Sequence, residues 1–129
     1  MDWVKVESVM TTKVVRVEPE SSVADVLKKL HAYRISCVVV CEGDIPVGMV
    51  SERDAVGFAF KQLTGNPKLP LVARELMSSN LVSIESCATL ERALELTAEH
   101  QIRRLPVVDS DGRLVGLVTQ SDLLRAARL

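Results

Sequence analysis

With 129 residues, 47% of them hydrophobic and only 3% aromatic, the chain can build one good core from Val, Leu, Ile, Ala and Met but has few rings for stacking on bases. Its 16 basic and 17 acidic side chains leave a net charge of -1, without the basic excess that phosphate contacts demand of a nucleic-acid binder. No apolar run nears the roughly 18 residues of a membrane span, and Met1-Asp2-Trp3-Val4-Lys5 lacks the apolar stretch of a signal peptide, so a cytoplasmic protein is expected.

The β-branched run Val14-Val15-Arg16-Val17 suits a short strand. Ser22 stands at an N-cap position with Asp25 in the first turn, and Val23, Val26, Leu27 and Leu30 then recur at helical spacing. Two strands follow, Cys37 to Cys41 and Ile45 to Val50, around the turn Glu42-Gly43-Asp44. A helix starts at Ser51 and runs to about Leu63, and Thr64 to Pro70 is dense in breakers and reads as a loop.

The same order then returns. Leu81 to Ile84 is a strand, and Thr89 caps a helix with Glu91 in its first turn and Leu90, Ala93, Leu94 and the weaker Thr97 on one face. Leu105 to Val108 and Leu114 to Val118 flank Ser110-Asp111-Gly112-Arg113, where Asp-Gly signals a hairpin, and a last helix runs from Thr119 to the chain end. The near-continuous apolar character of the hairpin strands implies sheets largely covered by helices.

This is an internal duplication. Sliding the chain by 67 positions superposes Met10 on Met77, Val15 on Val82, Glu18 on Glu85, Leu27 on Leu94 and Ile35 on Ile102. After one extra residue, a shift of 68 from Ser36 to Asp54 superposes Val39 on Val107, Val40 on Val108, Gly48 on Gly116 and Asp54 on Asp122. The expected fold is α+β: two β-α-β-β-α repeats, residues 9–63 and 76–129, joined by a linker over 64–75. Packed face to face about a pseudo-twofold axis, they would share one core.

Cys37 and Cys41 fall on one strand face, too far apart to bond each other, and read as buried small apolar residues; Cys87 stands alone. No second cysteine pair or nearby histidine makes a metal site. His31 and His100 have no nucleophile or carboxylate partner in sequence, so no catalytic residue and no enzymatic activity is expected.

The chemistry-bearing segments are Gly48-Met49-Val50-Ser51-Glu52-Arg53-Asp54 and Gly116-Leu117-Val118-Thr119-Gln120-Ser121-Asp122, each at the exit of a buried strand. The start of a helix offers unpaired N–H groups and a positive dipole end to an anion, the hydroxyl adds a donor, and the aspartate can accept bonds from ribose hydroxyls. Ser/Thr-x-x-Asp is equally a capping-box variant with both side chains spent on the helix itself. Arg53, Arg103 and Arg104 are within sequence reach of a phosphate, or are solvated surface charges.

Together these motifs resemble a tandem pair of CBS (cystathionine β-synthase) motifs, the unit called a Bateman module. The marks are Val9-Met10-Thr11 and Leu76-Met77-Ser78; the run Ile102 to Asp109, reduced to Ile35-Ser36-Cys37-Val38-Val39-Val40 in the first copy; and the Gly-apolar-apolar-Ser/Thr-x-x-Asp segments. The resemblance implies a regulatory module, without obligatory cofactor, binding an adenosyl ligand (AMP, ADP, ATP, S-adenosylmethionine or NAD) in clefts between repeats. One site would join Ser51 and Asp54 to Ser78, Asn80, Val82 and Arg104; the other would join Thr119 and Asp122 to Thr11, Lys13, Val15 and Ser36. The module would signal to a partner protein, or serve as a scaffold that binds no ligand. The apolar stripe Leu123, Leu124, Ala127 and Leu129 fits the family's habit of dimerising through helices, and Trp3 is expected to pack against the module.

Overall fold

The computed structural model describes residues 4–127. They fold as two compact units, one from Val15 to Leu81, the other combining the N-terminal segment up to Val14 with the chain from Val82 onward. The expectations for Trp3 and Leu129 lie outside the described residues.

In the first unit, β1 (Arg16–Val17) runs parallel to β2 (Cys37–Glu42), which pairs antiparallel with β3 (Ile45–Ser51). Between them lies α1 (Val23–Ala32), whose N-cap Ser22 accepts a bond from the Asp25 N–H. The stripe read from the sequence is buried at Val23, Val26 and Leu30, the last two clustering with Val38, Val40 and Val50 of the sheet. β3 leads directly into α2 (Glu52–Leu63), and a short α3 (Ala73–Leu76) follows the loop. In the second unit, β4 (Ile84–Glu85), β5 (Arg104–Val108) and β6 (Leu114–Thr119) repeat this topology, with α4 (Leu90–His100) and α5 (Gln120–Ala127) in the matching places. Thr89 caps α4 by accepting from the Arg92 N–H. Thr97, a polar residue within that helix's apolar face, is buried because its hydroxyl bonds the Leu94 carbonyl.

Among the described residues, two clusters of buried side chains stand out, one in each unit. Val17, Val26, Leu30, Val38, Val40, Val50 and Ala73 make the first; Val6, Ile84, Leu90, Ala93, Leu96, Leu105, Val107, Val118 and Leu123 make the second. Each three-stranded sheet has its own helices to bury against, so each unit closes a core of its own.

The duplication reaches further than sequence identity suggested. Ala73 N–H donates to the Ser21 carbonyl and Val23 N–H to the Leu71 carbonyl; in the other unit Val6 N–H donates to Ala88 and Leu90 N–H to Val4. Residues 71–77 thus match 4–10 in hydrogen bonding, though Val6/Ala73 and Glu7/Arg74 are dissimilar pairs. The opening segment of each repeat belongs to the compact unit built on the other repeat's hairpin.

The register also corrects the alignment. Arg16 pairs with Val39 and Val17 with Val40, while Ile84 pairs with Val107, so the partner of Val40 is Val107 rather than Val108. The extra residue of the second copy lies in the hairpin, between Val107 and Gly116, not before Arg104. A longer loop is tolerated there because Gly112 takes a positive φ of 82° and Asp109 Oδ1 accepts from both Asp111 and Arg113 N–H groups. Those backbone bonds, with Arg113 foremost, hold the Asp109 carboxyl below its usual range despite partial desolvation.

Candidate functional site

Each hairpin ends by feeding its last strand into a helix through the expected Ser/Thr-x-x-Asp segment. Ser51 N–H and Oγ–H both donate to Asp54 Oδ2, at 2.8 and 3.1 Å, and Asp54 N–H donates back to Ser51 Oγ at 3.3 Å. Thr119 N–H donates to Asp122 Oδ2 at 2.9 Å and Asp122 N–H to Thr119 Oγ1 at 3.1 Å. Both segments therefore form reciprocal capping boxes. All four side chains are half-buried.

The opening segments run alongside. Met49 and Ser78 exchange N–H···O bonds of 3.1 and 2.9 Å, and Thr11 and Leu117 exchange bonds of 2.8 and 2.9 Å. Each approach is possible only because the neighbouring strand residue is glycine. A methyl group on Gly48 would overlap Met77 Sδ and sit 2.9 Å from the Ser78 carbonyl; one on Gly116 would meet Met10 Sδ at 2.5 Å and the Thr11 carbonyl at 2.9 Å. The Val-Met-Thr and Leu-Met-Ser signatures thus gain a physical reason: the methionine covers the glycine and the next residue pairs with the strand.

This geometry brings Ser51 and Asp54 into one unit with Ser78, whose bonds lie two residues from Ser51, and with Asn80 on the same exposed segment. Thr119 and Asp122 share the other unit with Thr11 and the exposed Lys13. Of the remaining candidates, Val82 and Arg104 belong to the second unit, Val15 and Ser36 to the first. Val15 offers its carbonyl to the Val39 N–H, a bond that Pro106, which matches Val39, cannot reproduce.

One expectation fails. The helix N-termini do not present a row of unpaired amides. Glu52 N–H donates to the Ser36 carbonyl and Gln120 N–H to the Arg103 carbonyl, while Asp54 and Asp122 N–H are held by the box hydroxyls. Ser36 therefore corresponds to Arg103, not to Arg104. An anion at either helix start would have to be met chiefly by side-chain cations.

Here the two units differ. Asp122 Oδ1 is engaged by the Arg125 guanidinium, and the Asp122 side chain is only 16% exposed. Asp54 instead lines an open cavity of about 720 Å³ with Arg53, Gly57, Lys61, Lys68 and Glu75. Sequence reading singled out Arg53 but not Lys61 or Lys68. The signal was present, since 54, 57 and 61 share a helix face, but Lys68 reaches it only through the folding of the loop.

Cys37 and Cys41 are both buried and Cys87 is exposed. Burial, outweighing the nearby Arg16, pushes the Cys41 thiol up. Among the described residues no group of three or more His, Cys, Asp or Glu is placed to hold a metal ion, and no helix is long and apolar enough to cross a membrane.

A family model described as the CBS domain matches residues 6–61 and again residues 73–129. Relatives include a CBS domain-containing protein, YhcV, of Bacillus subtilis, 34% identical over 92% of this chain and 81% of its own length. The uncharacterized protein MK0525 of Methanopyrus kandleri is 33% identical over 97% of this chain, which spans 63% of that protein. Among solved structures, CBSX2 in complex with AMP superposes with a TM-score of 0.83 at 31% identity, covering 97% of this chain and 96% of that one. The cytosolic domain of the Mg2+ channel MgtE in complex with ATP gives a TM-score of 0.78 at 27% identity, covering 95% and 48%.

Proposed function

Because the chain belongs to the CBS-domain family, we propose that it is a regulatory module whose Ser51/Asp54 and Thr119/Asp122 boxes hold an adenosyl ligand and whose ligand state is read by a partner protein in the cytoplasm. The observation that carries this reading is the twofold recurrence of one arrangement: a half-buried carboxylate at a helix start, with an exposed opening segment hydrogen-bonded two residues away. A carboxylate has about four lone-pair sites, so Asp54, whose cap occupies Oδ2, accepts ribose hydroxyls on Oδ1 while its cap bonds persist, and Asp122 accepts them on Oδ1 beside or in place of Arg125. Ser78 and Asn80 supply polar contacts beside Asp54, and Thr11 and Lys13 do so beside Asp122. The AMP and ATP complexes of similar proteins supply the ligand class. The chemistry is recognition, not turnover.

The module acts as a homodimer joined through its second helices. α2 buries none of its own residues, and Val56, Phe60 and Leu63 stand 69%, 68% and 88% exposed. Three large apolar side chains on one helix of a small chain need a cover. A ligand transmits a signal only if two states of the module differ in affinity for it, and the boxes at the starts of α2 and α5 are placed to feel such a difference.

A second reading has an observation of its own: the boxes already satisfy themselves as caps, which is all a scaffold would require. A thermal-shift panel of AMP, ADP, ATP, S-adenosylmethionine and NAD separates the two. A ligand at a hundred times its Kd stabilises by about 2.7 kcal/mol, raising Tm by on the order of 10 °C. No shift with any member at millimolar concentration would leave the scaffold.

A further inference from the structure

We infer that the Asp54 site takes a nucleoside di- or triphosphate, its polyphosphate lying in the cavity between α2 and residues 68–76 against Arg53, Lys61 and Lys68. This rests on the ribose role proposed for Asp54 and adds what the rest of that ligand must be.

Four observations lead to it. The amides at the start of α2 are largely spent, by Ser36 on Glu52 and by Ser51 on Asp54, so phosphate oxygens must find side-chain cations. Those cations line the cavity that Asp54 also lines. Asp54 and Lys61 lie two turns apart on one helix face, about 10 Å along the axis, so a phosphate chain leaving a ribose held at Asp54 can run along that face toward Lys61. Between them Gly57 has no side chain, and a Cβ there would meet nothing within 4 Å, so the path stays open.

The lining carries a net positive charge, which favours an anion. Three cations face two carboxylates across a volume of about 720 Å³. One carboxylate, Asp54, is held by its cap; the other, Glu75, accepts the Leu71 N–H at 3.2 Å. Among the described residues Arg53, Lys61 and Lys68 form no ion pair, so their charge is not already neutralised. The second unit lacks this arrangement. Ser121 stands in place of Arg53, and Arg125 in place of Gly57, its guanidinium folded back onto Asp122. The polyphosphate preference therefore belongs to the Asp54 site alone.

The experiment is calorimetric titration of the full chain with AMP, ADP and ATP, on wild type, Asp54→Ala and the double variant Lys61→Gln/Lys68→Gln, at two salt concentrations. Both lysines are exposed, and circular dichroism checks that the double variant is folded. Expected is an Asp54-dependent site binding ATP at least about tenfold tighter than AMP, with a preference that weakens as salt rises. The lysine variant should compress the ATP-to-AMP ratio at least about fivefold, since screened contacts to two charges are lost. If nucleotides bind in an Asp54-dependent way but the ratio is near unity, or is unmoved by the lysine changes, the polyphosphate site is wrong and the adenosyl reading survives. If no nucleotide binds wild type, both fall.

Discussion

Gly48 and Gly116 are where a single methyl group should do most damage. The obstruction includes the Ser78 and Thr11 carbonyls, backbone atoms locked in paired bonds that cannot swing aside as a methionine side chain can. Gly48→Ala and Gly116→Ala should each cost about 1–3 kcal/mol, the usual penalty of overpacking, in urea denaturation. A change under about 0.5 kcal/mol in both would refute the close approach. The thiols give an independent check. Cys87 is exposed, whereas Cys37 and Cys41 are buried and Cys41 is further disfavoured as thiolate. A thiol reagent at neutral pH should label Cys87 rapidly and the other two only in denaturant, because the thiolate is the reactive form. Rapid labelling of Cys41 in the native protein would contradict the burial. At this scale the glycines, box residues and cysteines were legible because each is a local choice with a local reason. Lys68 was not, because its place beside Asp54 depends on how a breaker-rich loop closes.

Helices with a stripe were readable and those without were not. α1 and α4 carry apolar residues at i, i+3, i+4 and i+7 with a capping residue in front, and they fold there. α3 has four residues, too few for any period, and the sequence reading placed most of it in the linker. Its matching 3-10 turn at Val6–Ser8 was left outside the repeat for the same reason, although Val6 is fully buried. The terminal stripe divides: Leu123 enters its own core, while Leu124 is 42% exposed. The large uncovered apolar surface lies instead on α2. Phe60→Ser with Leu63→Ser should therefore keep the fold by circular dichroism and lower apparent stability only by the lost association, while giving a monomer in sedimentation at micromolar concentration where the proposed dimer is expected of wild type. A wild-type monomer, or a variant that still dimerises, would remove α2 as the interface.

For the whole molecule, the repeated order of elements announced the α+β fold, since a duplicated pattern is visible without knowing either copy's structure. The identities did not reveal where each unit begins and ends. Segments 4–10 and 71–77 match in hydrogen bonds rather than in side chains, and each packs into the unit of the other repeat's hairpin. The functional claim is that the two boxes are ligand sites as well as caps, and replacing both carboxylates tests it most directly. In Asp54→Ala/Asp122→Ala, each lost cap costs about 1 kcal/mol of stability, which denaturation measures separately. Each lost contact to a ribose hydroxyl should weaken binding by about 1.5–3 kcal/mol, roughly ten- to a hundredfold. The decisive measurement is calorimetric titration of AMP into the folded double variant beside wild type. A loss of tenfold or more at every site is the predicted result, and an affinity equal to wild type would contradict it, leaving the boxes as caps alone.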